Sequence, residues 1–349
     1  MRFVHETLPQ RVHFATGEAV DAVAEEVRRL DGARVMAIVT DPDRVAPVLA
    51  GLPVAVLHTD VVMHVPVEVA ERARAVATEH DIDVLVCVGG GSTTGLAKAV
   101  ALTTGLPIVA VPTTYAGSEA TDVWGLTEGG RKTTGVDSRV LPRAIVYDAG
   151  LMVGLPVPTS VASGLNALAH CVDSMWAPRS DPIDRALALE GIRALAAGLP
   201  RIVDEPRGLD GREQTLYGAY LAAVAFASAG SGLHHKICHV LGGRFDLPHA
   251  QTHAVVLPHV LALNAPAVPD LDARMAEAFG ADSALAGLER LRDRIGAPRS
   301  LRELGMPESG IADAVASVLE AAPPTNPVPV TAEVVERLLR AAWEGGDVC

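Results

Sequence analysis

Aromatic residues are scarce: five Phe, four Tyr and three Trp make up 3% of the 349 residues. That scarcity argues against an aromatic platform for stacking bases or sugars and leaves Ala, Val and Leu to fill the core. Cysteine is also sparse. Cys87, Cys171, Cys238 and Cys349 show no paired spacing, and a chain of this length needs no disulfide staples. All four read as free thiols in a reducing compartment. No apolar run reaches about 18 residues before Gly, Pro or a charge interrupts it, so no membrane span is expected. The opening MRFVHETLPQRVHFATG carries charge throughout and lacks the apolar stretch of a signal peptide, which points to the cytoplasm. Positive charge is in deficit. A formal net charge of −13 repels phosphate backbones and anionic lipid, so neither nucleic acid nor a membrane is an expected partner. A small anionic substrate would need a local cationic pocket.

What is present is ample apolar material, 49% of the chain, over a length that favours two domains. The first half alternates short buried-strand runs with helical patterns. Arg34–Thr40, Val54–His58, Asp83–Val88, Pro107–Val111 and Ala144–Tyr147 read as strands, and Val67–His80 and Gly95–Leu102 as helices. Strands separated by helices imply parallel pairing in a doubly wound α/β sheet. Beyond about residue 155 the texture becomes Ala/Leu-rich and helical: Ser160–Trp176, Pro182–Leu199, Gly211–Ala229 and several helices after Leu233. Residues 322–330 form a proline-rich connection. The expected organisation is an α/β nucleotide-binding domain over 1–155 and an all-α domain over 156–349.

Gly89, Gly90 and Gly91, followed by Ser92, lie between a buried strand and a helix. Phosphate reaches backbone N–H groups only where no side chain intervenes, and a helix N-terminus adds partial positive charge. A tight turn alone would also use glycine, and the run is neither GxGxxG nor a P-loop. Two other strand ends raise the case. Asp41 follows the first strand, where an acidic side chain accepts hydrogen bonds from an adenosine ribose; as the residue before Pro42 it also suits a turn. PTTYAGS places Thr113, Thr114 and Ser118 after another strand, on the edge where open α/β sheets bind ligands.

Six of the twelve histidines fall between His234 and His259. His235 and His239 are four apart, His249 and His253 repeat that spacing, and Asn166 and His170 share it upstream, so each pair shares a helix face. Imidazoles converging from several helices make either a metal site or an acid/base and anion-binding site. His5, His13, His58, His80 and His259 read as ordinary solvated or satisfied residues.

The glycine turn, PTTYAGSEAT, SGLNALAH and GLHHKICHVLGGRFDLPHAQTHAVVLPH together resemble the iron-containing (group III) alcohol dehydrogenase superfamily and, within it, the maleylacetate reductase branch. The resemblance implies a dehydroquinate synthase-like fold, a homodimer and an NAD(P)H-dependent oxidoreductase that reduces the C=C bond of maleylacetate to 3-oxoadipate. In metal-dependent members an Asp and three His hold a divalent ion; the matching positions are Asn166, His170, His235 and His249. Asn166 is a neutral amide where those enzymes have a carboxylate, and Gly95 stands where alcohol dehydrogenases commonly have Asp. Both departures point to the reductase branch and to an enzyme without metal. The resemblance places His239 beside the nicotinamide, as a proton relay, and Lys132 near the nucleotide. His170, His235, Lys236, His239, His249 and His253 are then expected to form the polar and cationic wall that binds the substrate and its enolate. Arg244 and His64 are lesser candidates. Asp41 would repel a 2′-phosphate, so NADH is expected ahead of NADPH. The competing readings are a metal-dependent alcohol or aldehyde dehydrogenase, a reductase of another enone or keto acid, and a non-catalytic nucleotide-binding protein.

Overall fold

The computed structural model describes residues 2–129 and 131–346, and of Arg131 and Lys132 the backbone alone. The chain folds as two compact units, one of Thr7–Leu155 and one of Pro156 onward together with the N-terminal segment up to Glu6.

The first unit is built on β1 (Arg11–Phe14), β2 (Val35–Val39), β3 (Val54–His58), β4 (Val84–Gly89), β5 (Ile108–Pro112) and β8 (Ala144–Tyr147), with β6 (Val123–Glu128) and β7 (Arg131–Val136) as a separate antiparallel hairpin. The six-stranded sheet is parallel throughout, in the order β1-β8-β5-β4-β2-β3. Its strands alternate strictly in what they bury. Met36, Ile38, Leu85, Cys87, Ile108 and Ala110 pack against helices α3 (Val67–Glu79) and α4 (Gly91–Thr104). Val35, Val39, Val84, Val86, Val109 and Val111 pack on the other face against α1 (Ala19–Arg29) and α2 (Pro42–Leu49). Two apolar faces explain why these strands read as continuous apolar runs. After β3 the chain crosses back to β4 and runs on in the opposite direction through β5 to β8. The strand order therefore reverses between β2 and β4, which makes their carboxyl ends the expected ligand edge.

Three features differ from the expectations. The helix expected at Gly95–Leu102 begins at Gly91: the first-turn N–H groups have no intrahelical partner, so a glycine there costs little. Strand β1 (RVHF) is a short edge strand with an Arg and a His, and each strand of the hairpin carries a central glycine, so neither shows a strand pattern. The segment up to Glu6 belongs to the helical unit rather than the sheet domain, because His5 Nδ1 lies 2.8 Å from Asp181 Oδ2.

The second unit, among the described residues, contains helices and no strand: α5 (Val157–Ser174), α6 (Pro182–Asp204), α7 (Asp210–Ala229), α8 (Leu233–Phe245), α9 (His249–Asn264), α10 (Pro269–Phe279), α11 (Ala284–Ile295), α12 (Gly310–Ala321) and α13 (Ala332–Glu344). α5 is buried from Ser160 to Ser174. With few aromatics available, helices approach closely through small residues. Gly191 and Gly198 on α6 face Gly218 and Gly211 on α7; a Cβ on Gly218 would stand 3.1 Å from Gly191 O, and one on Gly198 3.0 Å from Gly211 O. No single helix among the described residues is long and apolar enough to cross a membrane.

Candidate active site

In the sheet unit, β4 runs directly into α4 through Gly90, which occupies the N-cap without a side-chain hydrogen bond to the first turn. The helix thus starts with N–H groups that no side chain covers. Packing is tight at Gly89 and Gly90, while Gly91 meets only ordinary contact. A Cβ on Gly89 would stand 2.3 Å from Thr93 Oγ1, one on Gly90 3.0 Å from Thr114 Cγ2, and one on Gly91 3.5 Å from the Ala116 Cβ. Thr113 N donates to Gly89 O at 2.9 Å, which ties the end of β5 to the turn. Gly89, Gly90, Gly91, Ser92, Thr113 and Thr114 therefore share one edge, with Ser92, Thr113 and Thr114 partly exposed. Ser118 opens a single 3-10 turn a few residues on.

Asp41 stands at the end of β2, the neighbour of β4, is exposed, and caps α2 by accepting from Arg44 N at 3.2 Å through Oδ1. Its turn role and its place on the ligand edge coexist. A Cβ on Gly95 would lie 3.0 Å from Val65 Cγ2, so the space beside Gly95 is taken by a valine at positive φ. His64, also at positive φ, is fixed through its carbonyl, which accepts from Thr127 Oγ1 at 2.9 Å. The Lys132 backbone pairs with Thr127 in the hairpin, and its side chain lies outside the described residues. Lys98 was not anticipated. It is buried in α4 and donates to Thr121 O (2.8 Å), Thr121 Oγ1 (3.0 Å) and Val123 O (2.8 Å), pinning the segment after Ser118 to the helix that starts at the glycine turn. Burial pushes its pKa down to about 7. A lysine amid GLAKAVAL was the available clue.

In the helical unit, α5, α8 and α9 bring six histidines into one cluster. Ring centroids are 4.8 Å apart for His170 and His235, 4.7 Å for His235 and His253, and 4.4 Å for His249 and His253. His239 sits 6.2 Å from His235 and 6.3 Å from His249. His234, which spacing alone did not single out, lies 4.9 Å from His253. Phe226 of α7 packs on His170 and His235 at 4.6 and 4.3 Å. Lys236 is half-buried, and its charge is felt at Asp173. Arg244 is exposed at the last turn of α8.

Asp173 organises this cluster, and the sequence reading missed it. It follows His170 by one helical turn, so the pattern Asn166, His170, Asp173 marks a single face of α5. Its Oδ2 accepts from Gly232 N (3.0 Å), His235 N (3.2 Å) and His235 Nδ1 (2.7 Å). The last bond fixes the His235 tautomer with the proton on Nδ1 and a lone pair on Nε2. Burial pushes the Asp173 carboxyl up, to about 7, against the pull of those N–H donors. Burial, reinforced by neighbouring imidazoles, lowers His170 to about 3 and drives His235 and His253 well below their ordinary value. Burial alone takes His234 down to about 4. These four rings are neutral at pH 7, so they offer lone pairs and hydrogen bonds rather than charge.

Comparison with known proteins gives a consistent picture. Residues 9–149 match the family model described as iron-containing alcohol dehydrogenase, and residues 160–343 match that of the C-terminal part of the Fe-containing alcohol dehydrogenase family. A maleylacetate reductase of Sphingobium indicum is 47% identical over 99% of this chain and 98% of its own length. Among solved structures, an iron-containing alcohol dehydrogenase from Corynebacterium glutamicum is 60% identical with a TM-score of 0.97, covering 99% of this chain and 98% of that one. The maleylacetate reductase of Agrobacterium tumefaciens is 41% identical with a TM-score of 0.93, covering 99% of both chains.

The expectation of an enzyme that works without metal is overturned on two grounds. Both matching models describe iron-containing enzymes, and the cluster contains ligand groups close enough to hold an ion: His234, Cys238 and His253, and Asp173, His234 and His235, each with ligand atoms within 4.8 Å of one another. The error lay in reading the missing charge of Asn166 as loss of the ion, although three histidines and a carbonyl oxygen still bind divalent metals. Free lone pairs decide which residues fit. Asp173 Oδ2 already accepts three N–H bonds and His234 Nε2 donates to His253 O at 3.1 Å, but Asp173 Oδ1 and both ring nitrogens of His253 are buried without hydrogen-bond partners. Asn166 Oδ1, His170 Nδ1 and His235 Nε2 are likewise buried without hydrogen-bond partners. His249 of α9 lies in the same cluster, its ring 4.4 Å from that of His253.

Proposed function

The chain belongs to the iron-containing alcohol dehydrogenase family, and we propose that within it the protein reduces the C=C bond of maleylacetate with NAD(P)H to give 3-oxoadipate. The observation that carries this reading is 47% identity over the whole length to a maleylacetate reductase, joined to a buried histidine cluster in which Asn166 Oδ1, His170 Nδ1 and His235 Nε2 lack hydrogen-bond partners.

The chemistry needs a hydride at the alkene carbon β to the ketone, a proton at the α carbon, and stabilisation of the enolate oxygen between the two steps. The reduced nicotinamide, when bound, supplies the hydride, and a divalent ion on Asn166, His170, His235 and His249 supplies positive charge that stabilises an oxyanion. The residues do the rest. The bare N–H groups of the α4 first turn, with Ser92, Thr113, Thr114 and Ser118, cradle the dinucleotide phosphates, and Asp41 accepts from a ribose hydroxyl. Asp173 holds His235 in one tautomer and one orientation. His239, half-buried and therefore accessible to proton exchange, delivers the proton to the α carbon. Lys236 supplies the charge that the neutral imidazoles do not, for a carboxylate of the dianionic substrate. Phe226 packs over His170 and His235 and keeps water from their rings. A small anionic substrate, a homodimeric assembly and a cytoplasmic location complete the proposal, supported by the maleylacetate reductase relatives, by base rates for oligomeric enzymes and by the free thiols of Cys87, Cys171 and Cys238.

The test is product analysis. Purified protein given NADH and freshly generated maleylacetate should consume one NADH per 3-oxoadipate formed. The 60% identity to a chain described as an alcohol dehydrogenase favours the second reading, oxidation of an alcohol. NAD reduction with simple alcohols and no turnover of maleylacetate would establish that reading instead.

A further inference from the structure

A second set of ligand-type side chains lies in the helical unit and shares no residue with the histidine cluster. Asp181 caps α6, its Oδ1 accepting from Ile183 N at 2.7 Å and Asp184 N at 3.0 Å, while Asp184 Oδ2 accepts from Asp181 N at 3.2 Å. This capping box occupies one oxygen of each carboxylate. The two remaining oxygens converge on His5. Asp181 Oδ2 is 2.8 Å and Asp184 Oδ1 3.5 Å from His5 Nδ1, and Ser228 Oγ of α7 is 3.3 Å from the same nitrogen. Asp184 is fully buried, and its Oδ1 has no hydrogen-bond partner. One N–H cannot serve both carboxylates well, and a buried acceptor left without a donor is costly. Burial raises the Asp184 carboxyl, with Ser228 opposing the rise and the neighbouring Asp181 adding to it.

The separations suit a common ion. Donors about 2.0–2.2 Å from a metal lie roughly 3 Å apart, and here His5 Nδ1, Asp181 Oδ2 and Asp184 Oδ1 all fall within 4.8 Å of one another. We propose that His5, Asp181 and Asp184 form a second divalent-cation site, which staples the N-terminal segment to the start of α6. One imidazole with two carboxylates selects zinc, iron(II), cobalt or manganese over magnesium, which prefers oxygen and water. Two carboxylate charges balance the +2 of the ion.

The site is tested by counting metal. Full-length protein is stripped with a chelator, reloaded with Zn²⁺, freed of excess and analysed for zinc per chain, beside His5→Ala and Asp184→Asn. Each variant should hold one equivalent less than the wild type and keep the wild-type rate, since neither residue belongs to the histidine cluster. Zinc should also protect the N-terminal segment from proteolysis in the wild type and not in His5→Ala. Equal zinc in wild type and His5→Ala would overturn the site, and so would a deficit in Asp184→Asn that His5→Ala does not share. Because the count compares variants that all keep the histidine cluster, it stands whether or not maleylacetate is the substrate.

Discussion

Replacing Asp173 with Asn tests the organisation of the histidine cluster without changing its volume. One Asp173 oxygen accepts three N–H bonds, two from backbone and one from His235 Nδ1. An amide oxygen can occupy that position, but it is uncharged, and hydrogen bonds to a charged acceptor contribute about 1.5–3 kcal/mol against about 1 for neutral pairs. Because the Asp173 carboxyl is pushed up to about 7 and is only partly ionised near neutral pH, the change removes less than the roughly 1 kcal/mol per bond expected of a fully charged acceptor. The consequence for function is a loosened His235, whose Nε2 carries the lone pair. Losing the partner that orients a ligand histidine typically costs about 10–100-fold in activity, equivalent to roughly 1.4–2.7 kcal/mol of transition-state stabilisation. The assay is steady-state NADH consumption with maleylacetate. kcat/KM should fall by about 10–100-fold while the KM for NADH changes less than about twofold, since the nucleotide residues belong to the other unit. A folded Asp173→Asn enzyme with kcat/KM within twofold of wild type would refute the orienting role.

Other outcomes follow from the same structure. Gly89→Ala brings a methyl within 2.3 Å of Thr93 Oγ1, so the turn must shift, and the KM for NADH should rise about tenfold or more, a cost of about 1.4 kcal/mol; an unchanged KM would separate the turn from nucleotide binding. Chelation should lower the turnover rate and leave NADH binding, followed by fluorescence, intact, with activity restored by a divalent metal; full activity in rigorously stripped protein would contradict the ion assignment. His259 is buried on α9, and burial, reinforced by Arg292, lowers its pKa to about 4. Because the unfolded chain takes up that proton near pH 6.5, the neutral form's contribution is complete above pH 6.5 and is lost as pH falls toward 4, by roughly 3 kcal/mol. His259→Leu should flatten this acid limb in urea denaturation, and parallel profiles for the two proteins would dismiss it. Gly218→Val forces a Cβ to 2.8 Å from Leu195 Cγ and 3.1 Å from Gly191 O, and overpacking of this kind costs about 1–3 kcal/mol, read as a lowered Tm.

The central strands were legible because both of their faces are buried: in Asp83–Val88 the run from Val84 is continuously apolar and leads into Gly89, and Ala144–Tyr147 matches β8 residue for residue. β1 was not, since an edge strand of four residues with Arg11 and His13 carries no alternation to read. α1 and α2 were also passed over; α2 spans eight residues and contains Pro47. In the site, helical spacing brought out His235 with His239 and His249 with His253 because each pair lies on one helix face. His234 was passed over as a neighbour of His235, although α9 packs against both. Asp173 could have been found, one turn beyond His170, but a carboxylate in a helix reads as solvated unless its burial is known. His5 read as an ordinary residue because its partners are 176 residues away. The protonation of the cluster was beyond sequence altogether: a histidine-rich wall reads as cationic, whereas burial makes four of its rings neutral.

The most direct test of the central claim is a comparison of kcat/KM for maleylacetate with NADH and for simple alcohols with NAD, in metal-loaded wild type and in His239→Ala. The account predicts that the wild type strongly prefers maleylacetate and that the His239→Ala change slows this reaction while leaving NADH binding intact. A preference for alcohols, or a His239→Ala enzyme that reduces maleylacetate at the wild-type rate, would contradict it.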